Sequence, residues 1–335
     1  MIQSVAPLVP SPRPSPAIKA GEGEVRVAMG TPVKWGERLF KGISVFFASS
    51  VILLALAIGV SLWVHSSLAR HQFGFSFVTG RVWDPVAGQF GALPFLYGTV
   101  VSSLLALAIA VPTGLGAALF LSELAPRRVS DVLSFLTELL AAVPSVIYGL
   151  LGIFVLVPFV RTHLEPLLGK SLGFLPLFSG PPLGVGMLSA GLILAVMIIP
   201  FIITVSREVF LSVPTLLREG AAALGATRWE IATYAVLPFA RSGIFGAIFL
   251  ALARALGETM AVTMVIGNTP QISPSLFAPG YTMASVLANE FTEATDDLYL
   301  HALIEIGLVL FAVTLVINAL ARLLVWSVQR KWKTR

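Results

Sequence analysis

The stretch "SVPTLLREGAAALGATRWEIATYAVLPFARSG", residues 212–243, joins two long apolar runs and is itself patterned for short helices. Pro214 suits a first helical turn, where its missing N–H costs nothing. Leu216, Leu217, Ala221 and Leu224 follow at helical spacing. Gly225 then stops the helix, as glycine commonly does just past a C-terminus. Thr227-Arg228-Trp229-Glu230 has the form of a capping box, which restarts a helix. Leu237-Pro238 leads into the next apolar run. The stretch therefore reads as two short helices joined at a glycine hinge. It is either a connector lying on a membrane surface or a docking element whose apolar edge fits a groove on a partner protein.

The flanking runs make the chain a polytopic membrane protein. Of its 335 residues, 56% are hydrophobic and 12% charged, about half the charge of a soluble domain. Six runs reach the roughly 20 residues that cross a bilayer. They are Gly42–Val64, Leu96–Leu121, Val132–Val160, Gly184–Val205, Gly243–Gly267 and Leu300–Val328. Pro112, Pro144 and Pro200 fall inside three of them, which membrane helices tolerate. Residues 1–36, with six prolines and no apolar period, read as a disordered cytoplasmic tail. Residues 37–330 form the transmembrane domain and 331–335 a basic cytoplasmic end.

Sixteen of the 22 lysines and arginines fall on the side that carries the termini and the 212–243 connection; four fall on the other, and Arg254 and Arg322 lie inside runs. The positive-inside bias puts both termini in the cytoplasm, and an even number of crossings requires the termini to share a side. The net charge of +5 follows from this distribution and needs no nucleic-acid partner. The absence of cysteine excludes disulfides, thiolate metal sites and cysteine nucleophiles.

The fifth run holds "ALARALGETMAV", residues 251–262. Counted from Gly243 at 1.5 Å per residue, Arg254 would lie roughly 16 Å into a core about 30 Å thick. Glu258, four residues on, would share its face. An arginine at that depth costs about 3 kcal/mol and should face protein or water. The two residues read either as a self-neutralising pair that locks the bundle or as a charged patch on a water-accessible path. The Arg-then-Glu order is the weaker helical orientation. A guanidinium fork suits a tetrahedral oxyanion, and a nearby carboxylate tolerates one that still carries a proton, as phosphate does. Thr259, Thr263 and Asn268 would continue this face with hydroxyl and amide donors. Glu138 reads as a charge at a helix N-terminus, and Glu305 as an outer residue of the sixth run able to pair with Arg254.

Two resemblances sharpen this reading. The 212–243 stretch resembles the EAA loop of ABC-importer permeases, through Glu219, Gly220 and Ala221, then Gly225, then Leu237 and Pro238. It departs from that pattern at Gly220 and Ala235. In that family the loop seats in a cleft of the ATP-hydrolysing subunit. "ARALGETMAVTMVIGN" (253–268), "TELLAAVPSVIYGLLG" (137–152) and "ALIEIGLVLFAVTLVINALAR" (302–322) are similar to PstC-type permeases of bacterial high-affinity phosphate ABC transporters. The likeness covers about residues 40–330. It implies an all-α bundle of the type I ABC-importer permease kind in the bacterial cytoplasmic membrane, with Arg254 and Glu258 on the phosphate path. The implied partners are a PstA-like permease, a PstB-like ATPase dimer that binds ATP and Mg, and a PstS-like phosphate-binding protein outside.

The alternatives are a permease for another oxyanion, sulfate or molybdate, and an ion-coupled secondary transporter with Glu258 as proton carrier. Nothing points to an enzyme. Gly169-Lys170-Ser171 lacks the P-loop glycine, because Leu164 stands where it is required. His65, His71, His163 and His301 have no metal spacing, and no nucleophile triad or carboxylate pair is present.

Overall fold

The computed structural model describes residues 34–333. The chain divides between Leu56 and Ala57 into two compact units. The described part of the first is the leading portion of helix α1 (Lys34–His65). The second unit holds everything after it. The helix begins at Lys34, ahead of the boundary expected at residue 37; the rest of the proline-rich tail lies outside the described residues.

After α1 come the short helices α2 (Ser67–Phe73) and α3 (Ser76–Thr79), then a two-stranded hairpin, β1 (Trp83–Asp84) and β2 (Gln89–Phe90). Next are α4 (Leu93–Leu119), α5 (Arg127–Ala141), α6 (Ser145–Leu151), α7 (Val157–Phe159), α8 (Glu165–Leu172) and α9 (Met187–Leu211). They are followed by α10 (Thr215–Ala223), α11 (Arg228–Glu230), α12 (Leu237–Leu256), α13 (Met260–Thr263), α14 (Met283–Glu290) and α15 (Asp297–Lys333). Helix α15 carries three residues of the expected 331–335 end; the last two lie outside the described residues.

Six stretches among the described residues are long and apolar enough to cross a membrane: 35–65, 93–124, 145–172, 187–211, 228–256 and 297–326. Their number agrees with the sequence, but two differ from it in place. The third was expected at Val132–Val160. Instead α5 stops at Ala141, and its 15 residues span only about 22 Å. Pro144 offers no N–H and pushes Val143 out of the helical region, so it caps α6 and the crossing runs from Ser145 to Leu172. Glu138 consequently lies in the last turn of α5, not at a helix N-terminus. The fifth, expected at Gly243–Gly267, runs from Arg228 to Leu256.

Wide, π-type turns interrupt the crossings at 120–124, 152–156, 160–164 and 231–236. Each lies just before a proline: Pro126, Pro158, Pro166 and Pro238. A proline ring clashes with the carbonyl four residues back and cannot bond to it. At 152–156, 160–164 and 231–236 widening the preceding turn moves that carbonyl aside and keeps the helix running; at 120–124 the helix ends instead, with Ala125 extended before Pro126.

Helix α9 is the central element. Of its apolar window 67% is buried, against 39% or less for the other crossings. It packs on α4, α12 and α5. At Gly114 of α4 an added Cβ would lie 2.7 Å from Cγ2 of Ile202, so only glycine lets these two helices approach so closely. The N-terminus of α9 is closed by the loop that follows α13. The N–H groups of Gly186, Met187 and Leu188 donate to the carbonyls of Val265, Ala278 and Leu276 at 3.0, 3.1 and 2.8 Å. Those amides begin a helix and would otherwise have no acceptor in a bilayer. An aromatic cluster of Trp83, Phe90, Phe95, Tyr281 and Tyr299 seats the hairpin on α4 and α15.

Candidate functional site

Two neighbourhoods hold the residues singled out from the sequence. The first is the connection after α9. Helix α10 covers 215–223, Gly225 takes φ +86°, and Thr227 opens the next helix. The capping box is complete: the Thr227 hydroxyl accepts from Glu230 N–H at 3.3 Å, and Glu230 Oε2 accepts from Thr227 N–H at 2.7 Å. The helix that this box opens is not a separate short one. Arg228–Glu230 runs through the wide turn at 231–236 into α12 without a break, because no breaker intervenes before Pro238 and the wide turn accommodates that proline.

Glu219, Gly220 and Gly225 are exposed, Ala221 less so, and Leu237 and Pro238 are half-buried where the crossing begins. Leu216 is 76% and Leu224 90% exposed, so the helix presents apolar side chains that none of the described residues covers. It is nevertheless held in place. Arg218 places Nη2 2.8 Å from Glu123 Oε1 and Nε 3.1 Å from Oε2, and also donates to the carbonyls of Phe210 and Val213. Sequence reasoning passed over this pair: Arg218 counted only as flanking charge, and Glu123 lies on another connection.

The second neighbourhood is the end of α12. The helix stops at Leu256, Gly257 caps it, and Glu258 and Thr259 are not helical. Arg254 and Glu258 therefore do not share a helix face, contrary to the four-residue spacing, and they form no ion pair. Glu258 instead starts the next helix: its Oε1 accepts from Ala261 N–H at 3.2 Å. Glycine is a poor helix former, and a carboxylate that can take the next turn's free N–H favours a fresh start over continuation.

The Arg254 guanidinium stands 5.8 Å from the ring centre of Phe201 on α9, and Tyr148 of α6 lies within its electrostatic reach. Arg254, Gly257 and Met260 are exposed, whereas Ala261, Val262, Val265 and Ile266 are buried in the core around α9. The broken segment thus has a dry inner side and an uncovered edge. The crossing ends at Leu256, so Arg254 lies in its last turn and not at the mid-depth counted from Gly243. Thr263 Oγ1 donates to the Thr259 carbonyl at 2.8 Å, and Thr259 Oγ1 lies 3.4 Å from the Gly257 carbonyl. Asn268, at φ +48°, donates to the Thr263 carbonyl at 2.9 Å and keeps a buried Oδ1 without a protein partner among the described residues. Glu305 lies elsewhere, on α15, and does not meet Arg254.

Comparison with known proteins now adds to this geometry. Residues 110–333 match the family model described as "Binding-protein-dependent transport system inner membrane component". A "Phosphate transport system permease protein PstC" of Mesorhizobium japonicum is 47% identical over 290 residues, 85% of this chain and 89% of that one. A protein of the same name from Haemophilus influenzae is 47% identical over 300 residues, 88% of this chain and 95% of that one. This chain belongs to the binding-protein-dependent transport permease family, in its PstC-type branch. It is a multi-pass inner-membrane protein and a membrane component of an ABC transporter.

Solved structures agree on the fold of this permease. An inward-facing MetNI methionine ABC transporter matches at a TM-score of 0.51 and 19% identity, covering 74% of this chain and 99% of that one. A bacterial alginate ABC transporter in complex with an alginate-bound periplasmic protein matches at 0.51 and 18%, covering 85% and 96%. Gly169-Lys170-Ser171, the fragment that superficially resembles a nucleotide loop, lies inside α8 of the permease and not on a loop.

Proposed function

We propose that this chain is the permease subunit of an ATP-driven phosphate importer. It forms half of the translocation path and couples to a separate ATPase. The observation that carries the reading is Arg254 on an uncovered edge at a break in a membrane helix, in a chain 47% identical to PstC permeases along most of its length. A guanidinium offers a fork of donors to a tetrahedral oxyanion. The carboxylate of Glu258, two residues past the helix end, repels an anion with no proton to share, and so favours monoprotonated phosphate over sulfate. Thr259 and Thr263 line the same segment, and a PstA-like permease supplies the other wall over the exposed edge.

Helix α10, with Glu219, Gly220, Ala221 and Gly225, and the Leu237-Pro238 entrance to the fifth crossing form the coupling element for a PstB-like ATPase dimer. Its exposed leucines and fixed orientation suit a groove on that subunit. ATP and Mg are bound there; this chain contributes no catalytic residue, cofactor or metal. The coupling side, both termini included, faces the cytoplasm, and a PstS-like protein delivers phosphate to the opposite side.

The test is labelled phosphate uptake by cells expressing the complete transporter, comparing wild type with Arg254→Ala at equal membrane levels. Uptake that resists excess sulfate and molybdate and falls at least about tenfold in the variant is the expected result; that loss matches one charge-assisted contact. Full uptake in the variant makes Arg254 structural. Suppression of wild-type uptake by sulfate or molybdate assigns the path to those oxyanions.

A further inference from the structure

A second charged site lies away from the Arg254 edge, at the end of the bundle opposite α10. A cavity of about 550 Å³ opens between the end of α1, helix α2 and helix α15. Its polar wall is Arg70, His71 and Glu305, and its apolar wall includes Leu308, Val309 and Ala312. Glu305 is 4% exposed, and its Oε2 has no hydrogen-bond partner among the described residues. A carboxylate in that position is costly unless something supplies a donor or a positive charge.

Arg70 lines the same cavity but does not pair with Glu305. Its guanidinium is held elsewhere: Nη2 donates to the Trp63 carbonyl at 2.5 Å, Nε to Ser66 Oγ at 3.3 Å, and the group lies 3.6 Å from the Trp63 ring centre. These contacts leave the Nη1 hydrogens unclaimed by the described residues. One cavity therefore carries a fixed cation and a buried carboxyl group with an unpartnered oxygen, and the two do not touch.

A ligand that fits must bring both signs of charge and an apolar body. Glu305 sits about 12 Å along α15 from Asp297, and Leu308, Val309 and Ala312 lie one to two turns deeper. Trp63 marks the interfacial level at which tryptophan concentrates in membrane proteins. We propose that this cavity binds the headgroup of an aminophospholipid, with its phosphate on Arg70 and its primary ammonium on Glu305, the acyl chains running along Leu308, Val309 and Ala312. An ammonium supplies N–H donors to the orphaned oxygen. A choline headgroup has the charge but no donor, and a glycerol headgroup has hydroxyl donors but no positive charge.

The proposal is tested by native mass spectrometry of the assembled transporter titrated with dioleoyl phosphatidylethanolamine, phosphatidylcholine and phosphatidylglycerol. Wild type should retain phosphatidylethanolamine at about tenfold lower lipid concentration than either competitor, the scale of one charge-assisted hydrogen bond. Glu305→Gln should erase that preference, and Arg70→Ala should weaken all three lipids. Leu308→Trp should fill the apolar wall and expel the lipid with both charges intact, so the test stands even where Arg70→Ala fails to assemble. Equal retention of the three lipids, a preference for phosphatidylglycerol, or an unchanged preference in Glu305→Gln would overturn it. Displacement of the lipid by millimolar inorganic phosphate would also overturn it, by making the occupant a free oxyanion.

Discussion

Arg218 and Glu123 are 95 positions apart in sequence and meet through two hydrogen bonds, at 2.8 and 3.1 Å. Glu123 sits in the wide turn that ends the second crossing, and Arg218 in the exposed helix α10. The pair ties α10 to the transmembrane bundle, so in the proposed coupling role a push on α10 would be delivered to α4. Arg218→Ala leaves the Glu123 side chain, 9% exposed, without its partner, a loss of about 3 kcal/mol. Amide hydrogen exchange across 215–223 in the assembled complex should accelerate by about a hundredfold. Exchanging the two residues (Glu123→Arg with Arg218→Glu) should recover only part of this, because Arg218 also donates to the Phe210 and Val213 carbonyls. Full recovery would show that the pair alone matters.

Gly225 sets the angle between α10 and the following helix. Its φ of +86° lies in the left-handed region, where a Cβ costs about 1–2 kcal/mol. A methyl group added at this position would meet no atom within 4 Å, so the cost is conformational and not steric. Gly225→Val should therefore reduce recovery of the ATPase-bound complex on affinity purification several-fold, and Gly225→Asn should do so less, since asparagine tolerates this conformation. Equal losses in the two variants would point to a clash with the partner instead.

Much of this architecture is legible in the sequence for a simple reason. Membrane crossings are written in composition, and capping residues act over three or four positions. The six crossings, the Gly225 turn and the Thr227–Glu230 box are all local signals. The errors are of two local kinds and one distant kind. Pro144 looked like a tolerated mid-helix proline and is a helix start, because a proline reads the same in both roles. Gly257-Glu258 looked like one more helical turn, because the four-residue spacing of Arg254 and Glu258 hid the competition between continuing a helix and capping a new one. The Arg218–Glu123 pair and the Glu305 cavity join segments far apart in the chain, and no spacing rule reaches them.

The contact of α4 with α9 gives a clean packing test. Gly114→Ala adds one methyl 2.7 Å from Ile202 Cγ2, and overpacking of this kind costs about 1–3 kcal/mol. The thermal midpoint of the purified complex should fall by several degrees. Combining Gly114→Ala with Ile202→Ala should cost less than the sum of the single changes, because the second removes the atom that the first strikes. Strict additivity would show that the helices separate rather than collide.

Glu258 has two separable roles, a cap and a charge. As a cap it accepts the Ala261 N–H at 3.2 Å, which a glutamine carbonyl can also do. As a charge, in the proposed path, it would act on an anion passing the exposed edge by Arg254. Glu258→Gln should therefore leave the thermal midpoint of the complex within about 2 °C of wild type, while Glu258→Ala should lower stability by about 1 kcal/mol. Phosphate uptake separates the charge from the cap. With the charge gone, Glu258→Gln should lose discrimination against sulfate, read as competition by sulfate that wild type resists. If Glu258→Gln keeps both rate and selectivity, the carboxylate serves only to start α13, and selection rests on Arg254 and the partner permease.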